Sequence, residues 1–65
     1  MSDINVMKGE ETWALKAETE AGCRFLGVQN IGESIDRSPA EAAGLCFDAR
    51  AAGLKIAGYP LTYAA

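Results

Sequence analysis

Apolar and polar residues alternate along this chain in patterns that predict one helix and three strands. The helix has the clearest start, because Ser38 fits an N-cap, Pro39 fits the first helical position and Glu41 fits the third. We predict a helix over residues 39–52 that ends at Gly53, since glycine is the preferred residue just after a helix. Both ends of this helix can thus be placed from local residue types alone.

Two apolar stripes run along this helix when successive residues are placed about 100° apart. The first stripe consists of Ala42, Leu45, Cys46, Ala49 and Ala52, and the second of Ala40, Ala43, Phe47, Ala51 and Leu54. A chain this small readily covers only one stripe, so the other predicts contact with a second copy or with a different protein. We assign the stripe headed by Leu45 to the core and the stripe containing Phe47 to an interface.

The predicted interface surrounds Phe47 on one side of the helix. Its residues are Ala40, Ala43, Gly44, Phe47, Arg50 and Ala51. Aromatic residues and arginine are enriched at protein interfaces, and Gly44 would let another backbone approach the helix closely. Alternatively, Gly44 is only tolerated, at a cost of up to about 1 kcal/mol relative to alanine.

The first predicted strand covers residues 12–19, where apolar and polar residues alternate. This period of two is typical of a half-buried strand, with Trp13, Leu15 and Ala17 on one face. Residues 20–22 end in glycine and predict a tight turn that returns the chain into a second strand.

The second predicted strand, residues 23–29, has apolar residues in both phases. A bulge at Gly27 would reconcile the two phases. Without a bulge, the strand is apolar on both faces, as in a central strand or in one covered by a partner. Residues 54–59 alternate again and predict a third strand, closed by Pro60.

The remaining segments complete a single domain of 65 residues. Residues 1–11 form a flexible arm or a short edge strand, residues 30–37 a connection, and residues 61–65 a tail. The predicted order is β-β-α-β, an α+β fold with one helix on a three-stranded, mainly antiparallel sheet. Placing the third strand antiparallel beside the first gives the strand order 2-1-3, whose edges and uncovered face would allow dimerisation or strand addition.

Composition gives a further reason to expect association. Hydrophobic residues make up 49% of the chain, but many are alanine, so the core is thin. A domain of this length buries only about 60% of its unfolded surface, and its stability is marginal without a partner. The net charge is −3 and the six basic residues are scattered. We therefore expect no direct contact with nucleic acid, which requires clustered Lys and Arg.

The residue types offer little for chemistry. The chain has no histidine, and Cys23 and Cys46 stand far apart in the sequence. We therefore expect no metal site, no cofactor and no enzymatic activity. No segment has the length and hydrophobicity of a signal peptide or a membrane span, which predicts a cytoplasmic protein with both thiols reduced.

In size, acidity and the small number of its α+β elements, the chain resembles small accessory proteins of phages and mobile elements. Some of those proteins are stoichiometric inhibitors of host defence, such as anti-CRISPR proteins, so this compositional resemblance implies an inhibitor. We expect a non-enzymatic interaction protein that binds a larger protein as an inhibitor or adaptor. We also expect it to be a homodimer. One alternative is a ligand-binding homodimer with Trp13, Phe25 and Tyr59 lining a pocket between the copies; another is an accessory subunit of a larger complex.

Overall fold

A four-stranded mixed sheet and two helices make up the fold of residues 2–58, the part of the chain that the computed structural model describes. The elements are β1 (Ile4–Lys8), β2 (Trp13–Ala17), α1 (Glu20–Leu26), β3 (Ser34–Arg37), α2 (Pro39–Ala51) and β4 (Ile56–Gly58). The strand order is β3-β2-β1-β4, in which only the β1–β4 pair is parallel. The predicted α+β class is confirmed, whereas the three-stranded sheet and the β-β-α-β order are wrong in detail.

Strand β1 lies in the middle of the sheet, where we predicted a flexible arm or an edge strand. It pairs with β2 on one side and with β4 on the other, so that Ile4 lies opposite both Ala17 and Ile56. Ile4 and Val6 point into the core and are 0% and 2% exposed. With only two buried positions, β1 is too short for its alternation to identify a strand.

Most of the predicted second strand, residues 23–29, instead belongs to helix α1. Thr19 caps this helix, because the Gly22 backbone N–H donates to the Thr19 hydroxyl at 3.2 Å. Gly27 ends it with a φ of 77°, a conformation that glycine adopts without steric cost. The buried or half-buried residues of α1 are Gly22, Cys23, Phe25 and Leu26. They lie on one side of a helix, which explains why they occupied both phases of the supposed strand.

Two more strands differ from the prediction. Residues 34–37, inside the expected connection, form β3 at one edge of the sheet. Strand β4 falls within the predicted strand of residues 54–59, but it pairs in parallel with β1. The expected antiparallel pairing with residues 12–19 is wrong because β1 occupies that place beside β2. Tyr59, Pro60 and the predicted tail lie outside the described residues.

The predicted long helix is confirmed as α2 and is one residue shorter than expected. The Glu41 backbone N–H donates to Ser38 Oγ at 3.3 Å, so the predicted N-cap is formed. At the other end, Gly53 has a φ of 93°, and the Leu54 N–H donates to the Ala49 carbonyl at 2.9 Å. This is the hydrogen-bonding pattern of a glycine-terminated helix.

One hydrophobic core lies between the helices and one face of the sheet. Its buried members are Ile4, Val6, Trp13, Leu15, Ala42, Cys46, Ala49 and Ile56. Helix α2 contributes only the small side chains of Ala42, Cys46 and Ala49, while Leu45 is half-buried at the border. Neither helix of residues 2–58 has the length and hydrophobicity needed to cross a membrane.

Candidate protein-interaction surface

Phe47 is the most exposed large apolar residue within residues 2–58. It is 81% exposed, compared with 60% for Ile31 and 47% for Met7. The buried residues of α2 lie on the other side of the helix. Burying a phenylalanine side chain is worth about 1.5–3 kcal/mol. The exposed ring is therefore a substantial source of binding free energy for any protein that covers it.

The six residues of the predicted interface lie along one side of α2. Five of them are exposed: Ala40, Gly44, Phe47, Arg50 and Ala51. We call these five residues the outer face of α2. Ala43, the sixth, is half-buried and packs against the core, so it marks the border of this face. Leu54, which belongs to the same apolar stripe, also packs against the core.

Gly44 leaves open space one helical turn before Phe47. A Cβ added at Gly44 would meet no atom within 4 Å beyond its immediate neighbours and its own helix backbone. Arg50 stands exposed one turn after Phe47, and the exposed carboxylates of Glu41 and Asp48 flank the face. The outer face thus combines an aromatic ring, a gap beside it and a cation.

The two cysteine thiols lie beneath the surface. Cys23 and Cys46 are both buried, and neither takes part in a disulfide. Burial raises the pKa of the Cys46 thiol, while Arg50 acts in the opposite direction to a smaller extent. The Cys46 thiol therefore stays protonated near neutral pH. Within residues 2–58, His, Cys, Asp and Glu side chains form no group of three or more that could hold a metal ion.

An open cleft of about 480 Å³ lies beside α1 and residues 28–31. Glu20, Cys23 and Arg24 are among its lining residues. Two of the aromatic residues that we considered for a ligand pocket lie elsewhere, since Trp13 is buried in the core and Phe25 packs against that core.

A hydrogen-bond network ties the start of β1 to α1 and to the segment before β4. The Lys55 backbone N–H donates to Asp3 Oδ2 at 2.8 Å, and the Thr19 hydroxyl donates to Asp3 Oδ1 at 2.6 Å. These two bonds hold the pKa of the Asp3 carboxyl below its ordinary value. We call Asp3, Thr19, Gly22 and Lys55 the closed corner, because Gly22 packs directly against the Asp3 backbone here.

The edge strand β3 is a second exposed feature, which lies inside the segment predicted as a connection. Ser34, Asp36 and Arg37 are exposed, and Ile35 is half-buried against the core. The only local signal was one apolar residue between polar neighbours, which is too short a pattern to identify a strand.

Comparison of the chain with protein families, with curated proteins and with solved structures finds no match. Residues 2–58 form a small α+β fold, and two of its exposed features are the outer face of α2 and the β3 edge.

Proposed function

We propose that the protein is a non-enzymatic interaction protein of the cytoplasm that binds a larger protein, as a stoichiometric inhibitor or as an adaptor. The observation that carries this proposal is the 81% exposure of Phe47 in the middle of the outer face of α2. Exposed aromatic residues at the centre of a surface are common anchors of protein interfaces. The Cys46 thiol beneath this face is buried and protonated, so it does not supply an activated nucleophile there.

The outer face of α2 also indicates the chemistry of the partner. The Phe47 ring fits an apolar cavity, because burial removes the ring from water. The gap at Gly44 lets a partner side chain or backbone come close to the helix. Arg50 fits a carboxylate beside that cavity, since guanidinium and carboxylate groups form strong hydrogen bonds. The expected partner surface is therefore an apolar cavity next to an acidic group.

A second copy of the chain is the other occupant that the apolar stripe predicts for this face. In that case, Phe47→Ala would lower the molecular mass of the protein in solution. If a different protein is bound, the mass stays the same while binding is lost. The molecular mass of Phe47→Ala and its binding to a partner therefore distinguish a second copy from a different protein.

The test is affinity capture from the cells that naturally contain the protein, with wild type, Phe47→Ala and Met7→Ala compared side by side. Met7 is a suitable control because it is also an exposed apolar residue but lies on the sheet. We expect one protein to be retained by wild type and Met7→Ala and lost with Phe47→Ala. Truncating an interface hot spot costs about 2 kcal/mol or more, so the affinity for that purified partner should fall at least about 30-fold.

Thermal melts of Phe47→Ala provide the control for folding. Because Phe47 is exposed, the variant should keep the wild-type stability to within about 0.5 kcal/mol. A partner retained equally by wild type and Phe47→Ala would contradict the proposed use of the outer face.

A further inference from the structure

We propose that the protein forms a homodimer in which β3 pairs antiparallel with β3 of a second copy. This pairing would join two four-stranded sheets into one continuous sheet with all helices on the same side. It uses the sheet edge rather than the outer face of α2. A failure of the proposed dimer would therefore leave the proposed partner binding unaffected, and the reverse also holds.

Within residues 2–58, no strand pairs with the outer edge of β3, which presents the backbone groups of Ser34 and Asp36. The Ala17 N–H donates to the Glu33 carbonyl at 2.9 Å, directly beyond the Lys16–Ser34 pair of the β2–β3 register. Hydrogen-bonded and non-hydrogen-bonded pairs alternate along an antiparallel ladder. Ile35 is therefore bonded towards β2, whereas the N–H and C=O groups of Ser34 and Asp36 point away from the sheet.

One register satisfies all of these outward groups. Outward groups must meet outward groups, so Ser34 and Asp36 can lie opposite only Ser34 or Asp36 of the second copy. Two Asp36 residues opposite each other would bring like charges together, which is destabilising. Two Ser34 residues opposite each other would place Asp36 beyond the end of the other strand. Ser34 opposite Asp36 avoids like charges opposite each other and pairs all the outward groups of both strands.

Charges are complementary in this register. Glu33 lies opposite Arg37 of the second copy, and the two-fold symmetry repeats this pair at the other end. In the single chain, Glu33 Oε2 accepts from the backbone N–H groups of Gln29 and Asn30 at 3.1 and 2.6 Å, and a carboxylate has acceptor sites left for a guanidinium. Charges on a sheet edge usually prevent pairing between chains. Here they oppose the register that pairs Asp36 with Asp36 and favour this one.

Arg37 changes its hydrogen bond on dimerisation. In the single chain, its Nη1 donates to the outward carbonyl of Asp36 at 2.7 Å. In the dimer, that carbonyl accepts from the Ser34 N–H of the second copy. The guanidinium is then available for the Glu33 carboxylate of that copy, a stronger acceptor than a neutral carbonyl.

In this register, Ile35 lies at the two-fold axis, opposite Ile35 of the second copy. The pair is non-hydrogen-bonded, and in such pairs the Cα atoms are about 4.5 Å apart and the side chains are close. Ile35 is half-buried against the core of its own chain. Pairing would cover its remaining apolar surface and bring the two cores together at the new strand pair.

Sedimentation equilibrium of the full chain, up to millimolar concentration, tests this dimer. Wild type should show twice the monomer mass of 6.9 kDa. Arg37→Glu puts two acidic side chains opposite each other at both ends of the strand pair, and its mass should fall to that of the monomer. Arg50→Glu makes the same change of charge on the outer face of α2 and should leave the dimer intact.

A backbone variant provides independent evidence. Asp36→Pro removes the outward N–H of residue 36 and leaves every hydrogen bond to β2 in place. Proline is tolerated at such a position of an edge strand, so the variant should fold. It should be a folded monomer by circular dichroism and sedimentation; if it does not fold, Arg37→Glu decides the question. A wild-type monomer at millimolar concentration, or a dimer that survives Arg37→Glu, would overturn the proposal. A dimer lost in Phe47→Ala but retained in Arg37→Glu would also overturn it and would assign self-association to α2.

Discussion

Gly22 and Gly44 both lie inside helices, but their surroundings are opposite. At Gly22 in α1, an added Cβ would overlap the Asp3 carbonyl oxygen of the neighbouring chain segment. At Gly44 in α2, an added Cβ would meet no atom within 4 Å apart from its chain neighbours and its own helix backbone. Glycine therefore allows close packing in one helix and leaves an open gap in the other.

The same contrast separates the closed corner from the outer face of α2. In the closed corner, Asp3 accepts hydrogen bonds from Thr19 and Lys55, so three distant parts of the chain depend on one side chain. On the outer face, Phe47 is almost entirely surrounded by solvent. Substitutions in the closed corner should therefore change folding, whereas substitutions on the outer face should change binding.

The largest effect is expected for Gly22→Ala. The new methyl group cannot fit without moving β1 or α1, because its neighbour is backbone rather than a flexible side chain. Overpacking of this kind typically costs about 1–3 kcal/mol, occasionally more. Urea unfolding should show the loss directly. A variant as stable as wild type would mean that α1 does not pack closely against the start of β1.

Gly44→Ala should have a smaller effect of opposite sign. Alanine is favoured over glycine inside helices by up to about 1 kcal/mol, and at this position the methyl group meets nothing. The midpoint of urea unfolding should therefore rise. Loss of stability would show that a contact within the chain covers this part of α2.

Gly44→Ala also tests how closely a partner approaches the outer face of α2. If a partner approaches the helix closely at Gly44, the variant should bind more weakly although it is more stable. Equal binding would place the partner's contact at Phe47 and away from the gap.

The sequence predicts α2 well because its signals are local. Ser38 and Gly53 set the two ends, and each acts through hydrogen bonds within a few residues. Helix α1 has the same kinds of signal at Thr19 and Gly27, but its seven residues are too few for the helical period to outweigh an apparent strand. Its identity could have been recognised from the two caps together.

The central place of β1 and the existence of β3 could not be predicted, because both depend on distant partners. Ile4 lies opposite Ala17 and Ile56, and no local pattern encodes those separations. For the candidate site, the second apolar stripe contains Phe47, which is 81% exposed, but also Ala43 and Leu54, which pack against the core. The direction of the Ser34 and Asp36 backbone groups follows only from the pairing with β2, so the exposed sheet edge could not be predicted from the sequence.

The smallest expected effect concerns the pH dependence of the closed corner. The folded-state pKa of Asp3 lies below the value of about 3.9 expected in an unfolded chain, because the Lys55 N–H and the Thr19 hydroxyl favour the ionised carboxylate. The unfolded chain therefore binds more protons in acid. The stabilisation is complete above about pH 4 and is lost as the pH falls through the folded-state pKa.

Asp3→Asn tests this dependence. An amide has only one oxygen that accepts, so it cannot replace the bonds from both Thr19 and Lys55. The variant should be less stable than wild type at neutral pH, and the difference should shrink as the pH is lowered below about 4. The effect should be small because solvent screens a carboxylate near the surface. Urea unfolding of both proteins at a series of pH values measures the difference. If that difference stays constant into the acid range, the ionised form of Asp3 does not hold the closed corner together.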